Sequence, residues 1–376
     1  MKITIKEVTN KHELKKFIKF PIKLYRDNAY FVPPIIKSEL LTLAKDKNSA
    51  FEFCETKYWL AVDENNAIVG RIAGIINNRY NQKVGKTFAR FGWIDFIENE
   101  MVLCALFQTV EAWAREKNAE YIHGPLGFTS FDQSGVLIEG FDELPTAYGK
   151  YNFSYYSKLI ERCDYTKEVD WVEYKVTVPY TMPERFTRLS EMIEKKYNLH
   201  CVKLDSKKEL PGYAKEMFQL INKAYDKIHG FSELSEKQID SLIKAFIPML
   251  RLKYISIVQN AENKMVGVGI CLPSLSKALQ KCRGRLFPFG FLHLIEALRF
   301  NDTVDTLIIA VDPEYTSKGI NALIFNQIGS SIISNGFKYI ETTRELENNF
   351  QVLNLWNKFE YQQHKKSRCY FKTLKQ

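Results

Sequence analysis

Two segments of this chain repeat one pattern, and that repetition constrains the fold more than any other feature. Residues 58–74 and 254–270 each carry two runs of β-branched and aromatic residues, separated by polar turns at 64–66 and 260–263. Apolar runs on either side of an Asn-containing turn are typical of a β-hairpin. The two segments therefore predict an internal duplication, with chance similarity between two hairpins as the alternative.

The pattern after each hairpin continues the repeat. A strand, an apolar-periodic helix and a second strand are predicted at 89–96, 100–117 and 120–123, and again at 306–311, 319–334 and 338–343. The second copy adds a helix over 349–359 and a closing strand over 368–372. This order predicts an α/β (α+β) fold of two tandem modules, each a mixed twisted sheet flanked by helices. We place the modules at 1–165 and 166–376, packed tightly around a cleft.

Length and composition agree with two globular domains. The chain has 376 residues, of which 45% are hydrophobic and 26% charged. Its net charge of +9 favours a polyanionic partner such as cofactor phosphates, anionic lipid or nucleic acid, or else only a solvated surface. Seven widely spaced cysteines without a C-x-x-C pair argue against a disulfide scaffold and a zinc site. A charged N-terminus and short apolar runs predict a cytoplasmic protein that touches a membrane only from its surface.

The stretch from residue 307 to 321 carries the clearest chemical signal. An apolar strand ends in a turn at Asp312-Pro313, and Gly319 stands where the next helix begins. The start of a helix offers unpaired N–H groups and the positive end of its dipole, which together attract an anion. Gly319 lets the backbone approach a phosphate closely, and Lys318 adds a positive charge.

This stretch resembles the pyrophosphate loop of the GNAT superfamily of acyl-CoA N-acyltransferases, V-x-P-x-x-R/Q-G-x-G-x-G/A. Val311, Pro313 and Gly319 match that loop, whereas Thr316, Ser317 and Asn321 depart from it. The resemblance implies acyl-CoA or acetyl-CoA as co-substrate, no metal, and a binding site built from Ala310, Val311, Thr316, Ser317, Lys318, Gly319, Ile320 and Asn321. The corresponding start in the first copy carries Glu98 and Glu100, which would repel a pyrophosphate.

The resemblance extends over most of the chain. Residues 31–34 (FVPP), 124–125 (GP), 135–142 (GVLIEGFD) and 346–349 (LENN) are similar to a bacterial family of tandem GNAT-like N-acetyltransferases, which includes relatives linked to ceramide synthesis. The resemblance implies acyl transfer to an amine, with a lipid-like sphingoid base as a candidate acceptor. The resemblance does not imply a nucleic-acid partner. A Fem-like aminoacyl transferase and a non-catalytic binding protein with the same fold are the alternatives.

N-acylation needs a proton acceptor near the amine. The candidates are Glu347 and Glu341, which flank the end of the second central strand, and Asp132 in the loop after 124–125. Helix capping by Glu347 and turn formation by Asp132 are the structural alternatives. Trp356 stands where GNAT enzymes often carry a general-acid tyrosine, which leaves Tyr315, Tyr361 or water.

An insertion over residues 273–299 follows the second hairpin. It combines large apolar residues with flanking cations. This mixture suits a membrane headgroup region or a tunnel for a long acyl chain. Burial as a helical excursion against the first module is the alternative.

Overall fold

The computed structural model describes residues 2–349, 356–357 and 359–374. The strands in this part are β1 (Thr4–Glu7), β2 (Cys54–Val62), β3 (Ile68–Asn77), β4 (Phe88–Phe96), β5 (Tyr121–Gly124), β6 (Val136–Glu139), β7 (Thr166–Thr177), β8 (His200–Cys201), β9 (Ile255–Gln259), β10 (Met265–Pro273), β11 (Thr303–Val311), β12 (Tyr339–Thr342), β13 (Glu345–Leu346) and β14 (Tyr361–Thr373). The α-helices are α1 (Lys11–Leu24), α2 (Ile36–Leu43), α3 (Asn78–Val84), α4 (Glu100–Glu116), α5 (Tyr155–Arg162), α6 (Glu184–Tyr197), α7 (Leu210–Tyr225), α8 (Glu236–Phe246), α9 (Ser276–Cys282), α10 (Gly290–Ala297) and α11 (Ile320–Ser334).

The strands form one continuous mixed sheet, which confirms the predicted fold class. Its order is β1-β2-β3-β4-β5-β14-β7-β12-β11-β10-β9-β8, with β6 beside β14 and β13 beside β7. The pairs β4–β5 and β11–β12 are parallel, and the other pairs are antiparallel. The last strand, β14, lies between β5 and β7 and so joins the two halves. The division at residue 165 stays a prediction, but the sheet crosses it without a break.

The two predicted hairpins form as β2–β3 and β9–β10, and their turns share one geometry. The side-chain Oδ1 of Asp63 accepts hydrogen bonds from the N–H groups two and four residues further on, and Asn260 Oδ1 does the same. Asn66 and Asn263 both adopt positive φ, at 58° and 59°. An Asp in the first hairpin and an Asn in the second thus close the turn in the same way, which is the structural counterpart of the sequence repeat.

Each module holds one helix tightly against its sheet. A Cβ atom on Gly74 of β3 would lie 2.7 Å from Trp113 of α4, and one on Gly267 of β10 would lie 2.5 Å from Ile320 of α11. Only glycine permits such a close approach of helix to strand. In the second module this contact fixes the start of α11 on the sheet. The helix predicted over 349–359 lies mostly outside the described residues.

The parallel strands separate in both modules, with different consequences. Pairing of β11 with β12 ends at Thr306 and Thr342, although β11 continues to Val311. In the first module the corresponding gap is filled by the chain itself, because the N–H of Leu126 donates to Phe91 O at 2.9 Å. In the second module, no backbone hydrogen bond of the described residues closes the gap beyond Thr306 and Thr342.

The insertion divides into two parts that behave differently. Helix α9 packs against the first module: Gln280 Nε2 donates to Ala29 O at 2.8 Å, and Ser276 Oγ donates to Pro145 O at 2.7 Å. Helix α10 has no buried residue, and Phe287 and Phe289 just before it are 73% and 71% exposed. The alternative that the insertion is buried against the first module therefore holds for α9 and fails for α10. In the described part of the chain, no helix has the length and apolar character to cross a membrane.

Candidate active site

A cavity of ≈ 190 Å³ lies at the open gap between β11 and β12. Its walls come from both modules, with Leu307, Ile308, Thr343 and Arg344 at the separating strands and Arg90, Leu126, Thr129, Ser130, Phe131, Ser134, Tyr148, Trp171, Tyr225, Ile228, His229, Gly230 and Phe246 around them. The lining combines aromatic and aliphatic side chains with a few polar groups, as ligand sites generally do. The predicted cleft between the modules is therefore present.

The edge of β11 supplies polar backbone to this gap. Tyr225 Oη donates a hydrogen bond to Ile309 O at 3.2 Å, so this carbonyl points away from β10. A residue of an antiparallel strand directs its N–H and C=O to the same side, which places the Ile309 N–H toward the gap as well. The N–H of Asp312 donates to Val266 O at 2.9 Å instead. An N–H at the Ile309 side can polarise a thioester carbonyl.

The start of α11 lies just beyond the end of β11. Gly319 adopts φ 77°, and no side chain of the described residues caps the helix. Lys318 Nζ lies 3.7 Å from the centre of the Tyr315 ring, which fixes a positive charge beside this helix start. The arrangement has the features of an anion site.

The first module lacks such a site. The N-cap Asn99 uses its side-chain oxygen to accept hydrogen bonds from the N–H groups of Met101 and Val102 at 2.9 and 3.3 Å. The neighbouring Glu100 carboxylate pairs with Arg162 at 2.8 Å. These groups already satisfy the N–H donors and the dipole of α4.

The predicted pyrophosphate loop adopts a compact form. Residues Pro313–Lys318 make a 3-10 helix. Thr316 and Ser317 are exposed, and Thr316 Oγ1 donates to Pro313 O at 3.1 Å. Ala310 is buried, and the oxygen of the Asn321 side chain is buried without a hydrogen-bond partner among the described residues.

The three carboxylates predicted as bases do not line the cavity. Glu347 pairs with Lys167 and Lys366, with N···O distances of 2.5 and 3.6 Å. Glu341 lies 3.5 Å from Lys365 Nζ, and burial raises the pKa of its carboxyl group.

Asp132 behaves as the turn alternative describes. Its Oδ2 accepts a hydrogen bond from the N–H of Thr129 at 2.8 Å, and burial raises its pKa. Its loop nevertheless reaches the cavity through Thr129 and Ser134. The catalytic roles of Glu347, Glu341 and Asp132 stay predictions.

A cluster of His123, Glu168 and His229 lies beside the cavity, and the sequence did not predict it. Glu168 Oε2 lies 3.1 Å from His123 Nδ1 and 3.2 Å from His229 Nε2, the latter at an angle outside that of a well-aligned hydrogen bond. Burial alone would raise the pKa of Glu168, but the two histidines outweigh it and hold that pKa well below its usual range. These residues lie on three separate elements, so no local motif connects them. The one sequence signal for this cluster is the position of His123 at the end of a predicted strand.

The same three residues form a candidate metal centre among the described residues. Their ligand atoms lie within 4.8 Å of one another. Arg90 donates to Gly127 O and Gly230 O at 3.0 and 2.8 Å, and its positive charge contributes to lowering the pKa of His123 after the larger effect of burial. A fixed guanidinium at this place opposes a bound cation.

The Tyr225 phenol lies at the gap, where its Oη donates to Ile309 O. Burial raises its pKa to about 12, so the phenol stays protonated at neutral pH. Trp356 is buried on the other face of the sheet, where its Nε1 donates to Glu345 Oε1 at 3.0 Å. Tyr361 Oη donates to Asn357 at 2.6 Å, and Tyr315 Oη accepts from Asn260 at 3.3 Å.

Comparison with known proteins agrees with this architecture. No protein-family model matches the chain. It is 27% identical over 382 residues to "Protein YghO" of Escherichia coli (strain K12), covering 98% of this chain and 95% of that protein. It is 25% identical over 293 residues to "Bacterial ceramide synthase" of Caulobacter vibrioides (strain NA1000 / CB15N), covering 76% of this chain and 74% of that protein.

A solved structure supplies the fold comparison. It is described as a "Tandem GNAT protein from the clavulanic acid biosynthesis pathway (without AcCoA)" and superimposes with a TM-score of 0.56 and 11% identity. The match covers 100% of this chain and 99% of that one. Together with the repeated strand–helix–strand units and the open strand gap, it shows that this chain has the tandem GNAT fold.

Proposed function

We propose that this protein is an acyl-CoA-dependent N-acyltransferase whose thioester lies in the gap between β11 and β12. One observation carries the proposal: the ≈ 190 Å³ cavity opens where these strands separate, and β11 leads from it to α11, whose start no side chain of the described residues caps. Lys318 and Gly319 would hold the pyrophosphate of acyl-CoA or acetyl-CoA through a positive charge and accessible backbone. The acceptor amine would enter the cavity between the modules.

The reaction forms one bond and breaks one. The amine nitrogen attacks the thioester carbonyl carbon, the carbon–sulfur bond breaks, and the nitrogen loses a proton while the thiolate gains one. An N–H at the Ile309 side of β11 would stabilise the negative charge that develops on the carbonyl oxygen. The Tyr225 phenol would deliver a proton to the leaving thiolate. The products are an amide and free coenzyme A.

The exposed aromatic side chains that flank α10 support a lipid-like amine as the acceptor. Phe287, Phe289 and Phe300 are 73%, 71% and 78% exposed, and Arg283 and Arg285 stand beside them. Aromatic side chains flanked by cations suit the headgroup region of an anionic membrane. The similarity to a bacterial ceramide synthase supports a sphingoid base. We therefore propose a cytoplasmic enzyme of lipid metabolism that works at the inner face of the membrane.

Amide formation tests the activity directly. Purified protein should convert palmitoyl-CoA and a sphingoid base into an amide, detected by mass spectrometry with equimolar thiol release. Bound acyl-CoA without any amide product would support the non-catalytic alternative instead. Transfer from aminoacyl-tRNA, and not from acyl-CoA, would support the Fem-like alternative.

Vesicle sedimentation tests the membrane contact separately. Replacing Phe287 and Phe289 by Ser should abolish sedimentation with phosphatidylserine vesicles, because these side chains supply the apolar contact. The change should leave folding intact, since both are mostly exposed. Tyr180→Ser is the matched control, because this tyrosine is fully exposed and lies outside the insertion. Wild-type protein that ignores vesicles of every composition would refute the contact.

A further inference from the structure

We infer that His229 is the catalytic residue that takes the proton from the acceptor amine, with Glu168 as its positioning residue. The inference rests on the proposed N-acyltransferase function and assigns to it a proton acceptor that the sequence did not suggest. It is carried by the juxtaposition of the His229 ring with the strand gap on one side and the Glu168 carboxylate on the other.

The position of His229 connects the two halves of the site. It follows α7 in a loop, its side chain is 17% exposed, and it lines the same cavity as Leu307 and Ile308 of β11. Its Nε2 faces Glu168 Oε2 at 3.2 Å. In the tautomer that carries its proton on Nε2, toward Glu168, Nδ1 is the ring nitrogen that can accept a proton. A histidine oriented by a carboxylate is the usual arrangement for a general base.

Glu168 is held in place by a second histidine. His123 Nδ1 lies 3.1 Å from Glu168 Oε2, and Cys369 Sγ donates to the same oxygen at 3.3 Å. His123 is fully buried and does not line the cavity. The two histidines therefore differ in function: His123 fixes the carboxylate from inside the sheet, and His229 faces the place where substrates meet.

Charged groups of both signs surround the His229 ring. The titratable and charged side chains that face this region from the elements packed around it are Arg90 of β4, His123 of β5, Tyr148 after β6, Glu168 of β7, Tyr225 of α7, Arg344 before β13 and Cys369 of β14. Two guanidinium groups disfavour a further positive charge, whereas the Glu168 carboxylate stabilises an imidazolium once it forms.

The proton balance closes over one turnover. As the nitrogen–carbon bond forms, the amine nitrogen becomes positively charged and gives a proton to His229 Nδ1. The carbon–sulfur bond then breaks, and the thiolate is protonated through Tyr225, which recovers its proton from the imidazolium directly or through water. His229 ends neutral, so no oxidant, metal or further reactant is needed.

Substitution of His229 is the main test. His229→Ala should lower kcat by about 10²-fold or more with palmitoyl-CoA and a sphingoid base, since that is the usual contribution of a general base. Binding of palmitoyl-CoA, measured by calorimetry, should stay unchanged. Added imidazole should restore part of the activity. His123→Asn is the control, because it alters the same cluster away from the cavity and should reduce kcat far less.

Glu168→Gln tests the positioning role through the pH profile of kcat/KM, which would not shift if Glu168 had only a structural role. Removing the carboxylate takes a negative charge from beside the ring, so the acidic limb of the kcat/KM–pH profile should shift to lower pH. An unshifted limb would remove Glu168 from the assignment, and a His229→Ala variant with wild-type kcat would overturn the inference as a whole. If wild-type protein forms no amide, the proposed function itself fails.

Metal analysis of the purified protein distinguishes a metal centre from the general-base role of the cluster. One equivalent of zinc in the purified wild-type protein, lost in both His229→Ala and His123→Asn, would mean that the cluster is a metal centre, and would overturn the inference. Activity that survives chelation, with no metal bound, agrees with the general-base role.

Discussion

Replacing Gly319 by Asp should weaken acyl-CoA binding through charge, and the structure provides an isosteric control. Gly319 has φ 77° and ψ 19°, a left-handed conformation that Asn and Asp tolerate better than other residues. A Cβ at this position would lie 2.6 Å from Ile193 Cδ1, the end of a flexible side chain. Asn and Asp share this crowding and the backbone cost of about 1 kcal/mol. The difference between them is one negative charge.

The magnitude follows from the distance between that carboxylate and a bound pyrophosphate. At about 4 Å two unit charges repel by roughly 1 kcal/mol in water and by about 4 kcal/mol at an effective dielectric constant near 20. The start of α11 lies between these limits, because Gly319 is only partly buried. Gly319→Asp should therefore bind acyl-CoA about 5-fold to 10³-fold more weakly than Gly319→Asn.

Isothermal titration calorimetry with palmitoyl-CoA measures this ratio. The ratio should shrink as salt is added, since exposed charges are screened. Glu98→Lys at the corresponding helix start of the first module should leave the dissociation constant unchanged, because Asn99 already caps that helix. Equal affinity for the Asp and Asn variants would refute the placement of the pyrophosphate at α11.

Two further predictions concern carboxylates outside the cavity. Glu347→Gln should cost at most about 1 kcal/mol of unfolding free energy and leave kcat intact, because its pairs with Lys167 and Lys366 are partly exposed. A fall in kcat of about 10²-fold with normal folding would mean that Glu347, and not His229, is the base. Burial raises the pKa of Glu345 to about 8 from its ordinary 4.5, so the stability gained from its protonated form is present below pH 4.5 and is lost as the pH rises toward 8. One pKa unit corresponds to about 1.4 kcal/mol, so the unfolding free energy of wild type should fall by about 4 to 5 kcal/mol over that interval relative to Glu345→Gln. Urea denaturation at each pH measures this difference. Parallel curves of unfolding free energy against pH for the two proteins would contradict it.

The sequence by itself determined the repeated architecture. Alternation of apolar runs and polar turns is a local property, so the two hairpins and the strand–helix–strand units that follow them were predicted close to their observed bounds. The Asn-containing turns at 64–66 and 260–263 form with one geometry because each depends on side-chain contacts within four residues. Gly319 at the start of α11 is also a local signal, and it was found in the same way.

The tertiary structure decided which groups meet at the site. Glu168, His123 and His229 lie on β7, on β5 and in the loop after α7, and they come together only because β14 joins the two halves into one sheet. No spacing along the chain encodes a contact of this kind, whereas carboxylates such as Glu347 stand in conspicuous motifs and yet point toward Lys167 and Lys366. The split of the insertion has the same cause: α10 is the more apolar helix in sequence, but it is α9 that packs against a surface of the first module. Local pattern thus fixed the elements and the start of α11, and long-range packing chose the residues around the cavity.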